Sequence, residues 1–177
     1  MKKVITMIIV FLIFLILYFL QSNFFSWFNI AGIKPNLFII LALFLGLILG
    51  QTCGGIFGIV EGLILDLFIG KRIGINAISL GIVGLFAGMF KKNIANSNRM
   101  TIALIVSAST LIGEAINYIY QMILFSGNFE IIAFFKIVLI EIVFNLLITI
   151  IINNWIRRGL EKTKEVFTSN KILTRTF

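Results

Sequence analysis

Four acidic side chains stand inside long apolar stretches of this sequence: Glu61, Asp66, Glu114 and Glu141. A charged group at the centre of a membrane span costs about 2.5 to 3.5 kcal/mol on insertion scales, so none of the four is expected to face lipid. Each must point inward, pair, or keep its proton. Glu114 lies about as far before the polar turn at Gly127 and Asn128 as Glu141 lies after it, so an antiparallel helix pair sets both carboxyls at similar depth. Adjacent buried carboxyls tend to share one proton. That chemistry admits a proton relay or ion site, or a hydrogen-bonded lock between helices helped by Asn117 and Asn145; the lock is the plainer reading. Asp66 stands one turn from the end of its apolar stretch, close in sequence to Lys71 and Arg72, and suits helix capping, a local ion pair or a partner contact.

Several kinds of catalysis fall away by subtraction. The sequence has no histidine, which removes the commonest general base, the commonest metal ligand and the usual partner of a serine or cysteine nucleophile. Its single cysteine, Cys53, leaves no internal disulfide. Membrane aspartyl proteases and lipoprotein signal peptidases need two aspartates, and alcohol phosphatidyltransferases need a cluster, whereas only Asp66 is present. Rhomboid-type hydrolysis needs serine with histidine. The glycines do not open a helix after a strand, as phosphate loops and dinucleotide fingerprints require. The expectation is a protein that is not an enzyme and takes no cofactor or metal.

Those glycines carry the strongest pattern in the chain. Gly46, Gly50, Gly54, Gly58 and Gly62 are four apart, and Asp66, Gly70 and Gly74 continue the series; Ala77, Gly81, Gly84 and Gly88 form a second stripe. A spacing of four keeps small residues on one helical face, and in apolar sequence such a face lets a neighbouring backbone approach closely. The stripes are expected to serve helix packing or partner docking.

The elements that must hold these residues are membrane helices. Of 177 residues 60% are hydrophobic and 12% charged, against roughly 25% charged in an ordinary soluble domain, and the mean hydropathy is +1.11. Six spans fit, over residues 4–20, 37–50, 55–70, 74–90, 100–125 and 131–155, so residues 1–156 read as one all-α, six-helix transmembrane domain. The basic start followed by an apolar run is longer than a signal core and lacks a small-x-small site, so it reads as a retained first span. Residues 37–70 are too long for one span at about 51 Å, and Gln51-Thr52-Cys53-Gly54-Gly55 is the expected hairpin. The second span, only about 21 Å long, needs flanking residues or a thin membrane.

Charge placement orients the spans. With both termini cytoplasmic, eleven Lys and Arg lie inside and four, Lys34, Lys71, Arg72 and Lys136, lie outside. Phe24, Phe25, Trp27 and Phe28 suit an outer loop in the interface, and Trp155 marks the inner interface. The basic cytoplasmic tail, 157–177, carries six positive and two negative side chains, which attract anionic lipids at about 1 kcal/mol per basic residue near the surface. The net charge of +8 is thereby explained without nucleic acid.

Lys34-Pro35-Asn36-Leu37, the glycine-rich second and third spans, Gly62-Leu63-Ile64-Leu65-Asp66-Leu67-Phe68-Ile69-Gly70, Gly74-Ile75-Asn76-Ala77 and Gly84-Leu85-Phe86-Ala87-Gly88 together resemble the MreD rod shape-determining membrane proteins. Pro35 and Asp66 are the particular residues of that motif. The resemblance implies a non-enzymatic component of the bacterial cell-wall elongation machinery in the cytoplasmic membrane. It would bind MreC through its membrane helix and periplasmic region, and be linked through it to RodA, a class B transpeptidase and MreB filaments. Such proteins are similar in architecture to the substrate-binding S-components of energy-coupling-factor vitamin transporters. The rival function is therefore vitamin uptake, with Glu114, Asn117, Tyr118, Tyr120 and Gln121 lining a pocket. Against it, residues 4–20 lack the alanine stripe with which S-components meet their coupling subunit. A proton- or ion-coupled carrier using Glu61, Glu114 and Glu141 is a third reading, without the paired inverted halves of many transporters.

Overall fold

A computed structural model describes residues 2–27, 29–30, 32–69, 73–91, 99–125 and 130–173. Among these, six helices of three turns or more follow in order: α1 Lys2–Phe19, α2 Leu37–Leu49, α3 Gln51–Ile69, α4 Ile75–Met89, α5 Arg99–Phe125 and α6 Ile131–Leu173. Three stretches, Gln51–Ile69, Arg99–Ile123 and Ile131–Ile152, are long and apolar enough to cross a membrane. The outward faces are apolar too: Leu104, Ile132 and Ile151 are exposed, as befits a surface solvated by lipid.

The core is built around α2, the shortest helix. Every side chain from Leu37 to Leu47 is buried, and a helix that is hydrophobic all round belongs at the centre of a bundle. Protein surrounds this short helix, and side chains tie both of its ends. At the first turn the Leu37 N–H donates to Gln21 Oε1 at 2.8 Å, the Asn36 N–H to Asn145 Oδ1 at 3.1 Å, and the Ile39 N–H to Asn36 Oδ1 at 3.3 Å. At the last turn Lys91 Nζ donates to the Leu49 carbonyl at 3.0 Å. Helix ends leave such donors and acceptors unsatisfied, and lipid offers them no water, so each tie removes a large penalty.

Two boundaries differ from expectation. Residues 51–55 do not form the hairpin; Gly50 alone makes it, at φ 100° and ψ 175°, and α3 has already begun at Gln51. That backbone region is open essentially to glycine alone, so one residue reverses the chain and frees Gly54 and Gly55 for packing. At the other end of the bundle, the interfacial loop expected after the first span is partly helical. A π-helical turn, Leu20–Phe24, carries α1 into a short turn, Phe25–Trp27, and the Asn23 side-chain amide donates to the Phe19 carbonyl at 3.0 Å. Trp27 remains 88% exposed, as an interface residue should be.

α6 runs 43 residues, about 65 Å, so its backbone stays helical well past any bilayer and through most of the basic tail. Gly70, Lys71, Arg72, Gly127, Asn128 and Phe28, and the side chains of Trp155 and the tail, lie outside the described residues.

Candidate functional site

Asp66, near the C-terminal end of α3, is 1% exposed and ties the start of α4 to α3. Its Oδ2 accepts from the Gly74 N–H at 2.7 Å and the Ala77 N–H at 3.4 Å, and its Oδ1 accepts from Asn76 Nδ2 at 2.7 Å. A carboxylate among the free N–H groups of a helix N-terminus is favoured both by hydrogen bonding and by the helix dipole. Gly74 sits at φ 105° with open space around it, so this glycine is required by backbone conformation and not by crowding. Among the readings of Asp66, helix capping is what the geometry displays; Asn76, met in the sequence only within the Gly74-Ile75-Asn76-Ala77 motif, is its side-chain partner.

A second polar cluster joins α5, α6 and the start of α2. The Glu114 and Glu141 side chains lie beside each other, and Asn36 neighbours both; Glu141 Oε1 has no hydrogen-bond partner among the described residues. Asn117 contacts Glu114 and Asn145 contacts Glu141; Asn145, fully buried, also donates to Thr110 Oγ1 at 3.0 Å. The pair expected across α5 and α6 is therefore present, and Asn36 extends it to a third helix. Asn36 and Gln21 act here through local capping bonds, a role that hydropathy patterning does not reveal.

A cleft of about 290 Å³ lies between the two clusters, lined by Asp66, Asn76, Glu114, Asn117 and Gln121 together with Ile69 and Ile75. Asn117 Oδ1 is buried without a hydrogen-bond partner among the described residues. The lining offers carboxyl and amide groups and no hydroxyl, thiol or imidazole nucleophile. It can hold a ligand that donates hydrogen bonds. Glu61 is elsewhere: 5% exposed, both oxygens unpartnered among the described residues, it borders an apolar crevice with Val10, Phe14 and Leu41.

The glycine stripes are turned inward. A Cβ at Gly54 would stand 2.7 Å from the Gly84 carbonyl oxygen, one at Gly84 would overlap the Gly54 carbonyl, and those at Gly58 and Gly62 would overlap the backbone at Leu80 and Ala77. Gly46 and Gly88 close the seam against Gly84 and Gln51, and Ala77 is buried in it. Gly81 faces the Ile59 side chain, and Gly50 makes the turn. α3 and α4 thus run antiparallel backbone to backbone, and Gly46, Gly54, Gly58, Gly62, Gly84 and Gly88 pack against the chain's own backbone, whereas Gly74 has open space around it. The chain fills its own small-residue faces.

Polar side chains between helices, close glycine seams within and apolar faces without are the features of a helical membrane protein. The chain belongs to the family of the rod shape-determining protein MreD, whose family model matches residues 1–161. Membership gives it a part in determining rod shape, in a family known for structure and not for catalysis. Comparison with curated proteins and with solved structures gave no match.

Proposed function

We propose that this chain is a non-enzymatic membrane scaffold of the cell-wall elongation machinery that binds MreC and helps to maintain rod shape. The observation that carries the proposal is the family match over residues 1–161, and the inward-turned polar clusters support it because they rigidify a platform. MreC is the direct partner; RodA, a class B transpeptidase and MreB are reached through it, and the basic tail rests on anionic lipids. Since the glycine seams are closed, the docking surface is one of the exposed apolar faces or the polar cleft. In membranes association depends on close van der Waals packing and a few hydrogen bonds, which both surfaces offer. We place six spans in the bacterial cytoplasmic membrane with both termini cytoplasmic, on the strength of the Lys and Arg distribution. Affinity purification of the full chain from native membranes is expected to retain MreC in stoichiometric amount. Its absence at native expression levels would refute the scaffold.

The cleft favours one second reading, a fold like that of vitamin-transporter S-components, in which Glu114, Asn117 and Gln121 would hold a small polar molecule. Mass spectrometry of the purified protein decides it: a stoichiometric vitamin, with a coupling ATPase encoded nearby, supports uptake, and neither supports the scaffold.

A further inference from the structure

The pair α5 and α6 is tied at one level and borders a crevice at another. Asn145 and Thr110 join them at 3.0 Å, and Glu114 meets Glu141 one turn further along. Towards the Arg99 end lies a crevice of about 450 Å³ bordered by Arg99, Met100, Ala103, Leu146, Thr149 and Ile150. Both helices include membrane-length apolar stretches, and Met100, Leu104 and Ile150 beside the crevice are exposed, so apolar surface of the kind that lipid solvates flanks it.

We infer that this crevice is a phospholipid site, in which the Arg99 guanidinium takes the headgroup phosphate and the space that α5 and α6 border takes an acyl chain. Three observations on different atoms converge on that occupant. The volume lies within the roughly 300–1,000 Å³ of ligand sites. Its rim carries a planar cation, and guanidinium matches phosphate oxygens in a two-pronged geometry. Its wall carries Thr149, 4% exposed, whose Oγ1 has no hydrogen-bond partner among the described residues. A buried hydroxyl without a partner is costly, and below its phosphate a phospholipid presents an ester carbonyl that accepts from such a group. The site is separate from the basic tail and from the polar cleft. Under the orientation proposed above, Arg99 lies at the cytoplasmic leaflet, where anionic lipids concentrate.

Native mass spectrometry of the full-length chain, exchanged into detergent with dioleoylphosphatidylglycerol, tests the site. One phosphatidylglycerol is expected to stay bound under conditions that strip bulk lipid, while dioleoylglycerol, which lacks the phosphate, is not retained. Glycerol 1-phosphate in excess is expected to leave the lipid in place, since the acyl chain contributes to binding. Arg99→Gln, at an exposed position outside the packed core, is expected to lower retention about tenfold, the loss of a charge-assisted contact. Thr149→Val is expected to weaken it less, and Ala103→Phe, which fills the crevice, to abolish it. Equal retention by wild type and Arg99→Gln, equal retention of the phosphate-free lipid, or displacement by glycerol 1-phosphate overturns the proposal. A thermal melt of each variant separates lost lipid from lost fold; if Ala103→Phe unfolds, Arg99→Gln still decides.

Discussion

Among the acids, Glu61, Asp66 and Glu141 are buried and Glu114 is half-buried, and their partners differ. Asp66 is met by backbone and amide donors, Glu114 and Glu141 meet each other and Asn36, and Glu61 has no partner among the described residues. Asp66→Ala should therefore lower stability by about 2 to 3 kcal/mol, because the Gly74 and Asn76 donors lose a charged acceptor. Asp66→Asn should fall between, since its amide turns a donor towards one of the same donors. Chemical unfolding in mixed micelles checks the order; an Asp66→Ala variant as stable as wild type would show that the cap is idle. Glu61→Met should raise the thermal midpoint, because a buried polar group without a partner is replaced by an apolar one of similar length. A lowered midpoint would mean that Glu61 has a partner in the membrane. The sequence made the acids legible by their cost in lipid, and the antiparallel argument brought Glu114 and Glu141 together correctly. It met Asn36 and Asn76 only as members of the family motif and gave them and Gln21 no bond, because a hydrogen bond to a helix end leaves no mark in a hydropathy pattern.

For the helices, spacing of four was enough to find the glycine faces but not to say who fills them. A stripe of small residues looks the same whether it meets its own chain or another, and only the antiparallel register of α3 on α4 shows that the chain closes its own seam. The seam also makes a contrast. A methyl at Gly84 would run into the Gly54 carbonyl, which can move only with its helix, whereas one at Gly55 would meet the flexible end of Leu85. Gly84→Ala should cost about 1 to 3 kcal/mol and Gly55→Ala much less, as measured by unfolding in the same micelles. Equal cost at the two positions would argue that α3 and α4 are not packed backbone to backbone. The second span illustrates what composition cannot give. The span expected over residues 37–50 looked short for a bilayer, and the helix that forms, capped by Gln21, Asn36, Asn145 and Lys91, depends on residues as far as 109 positions apart.

For the whole molecule, the native thiol offers a topology test without engineering a cysteine. Cys53 is exposed in the first turn of α3, next to the Gly50 turn, and the proposed orientation places that turn on the cytoplasmic side. A membrane-impermeant maleimide should leave it unlabelled in intact spheroplasts and label it once the membrane is opened. Labelling of intact spheroplasts would invert the orientation. The membership of the chain in a shape-determining family then makes cell geometry the most direct readout of what the assembled bundle is for. The decisive measurement is the length-to-width ratio of cells of the parent organism as this chain is depleted and then resupplied. The scaffold account predicts that rods widen and round up on depletion and recover on resupply, with nutrient uptake unchanged before the shape fails. Cells that stay rod-shaped through complete depletion would contradict it.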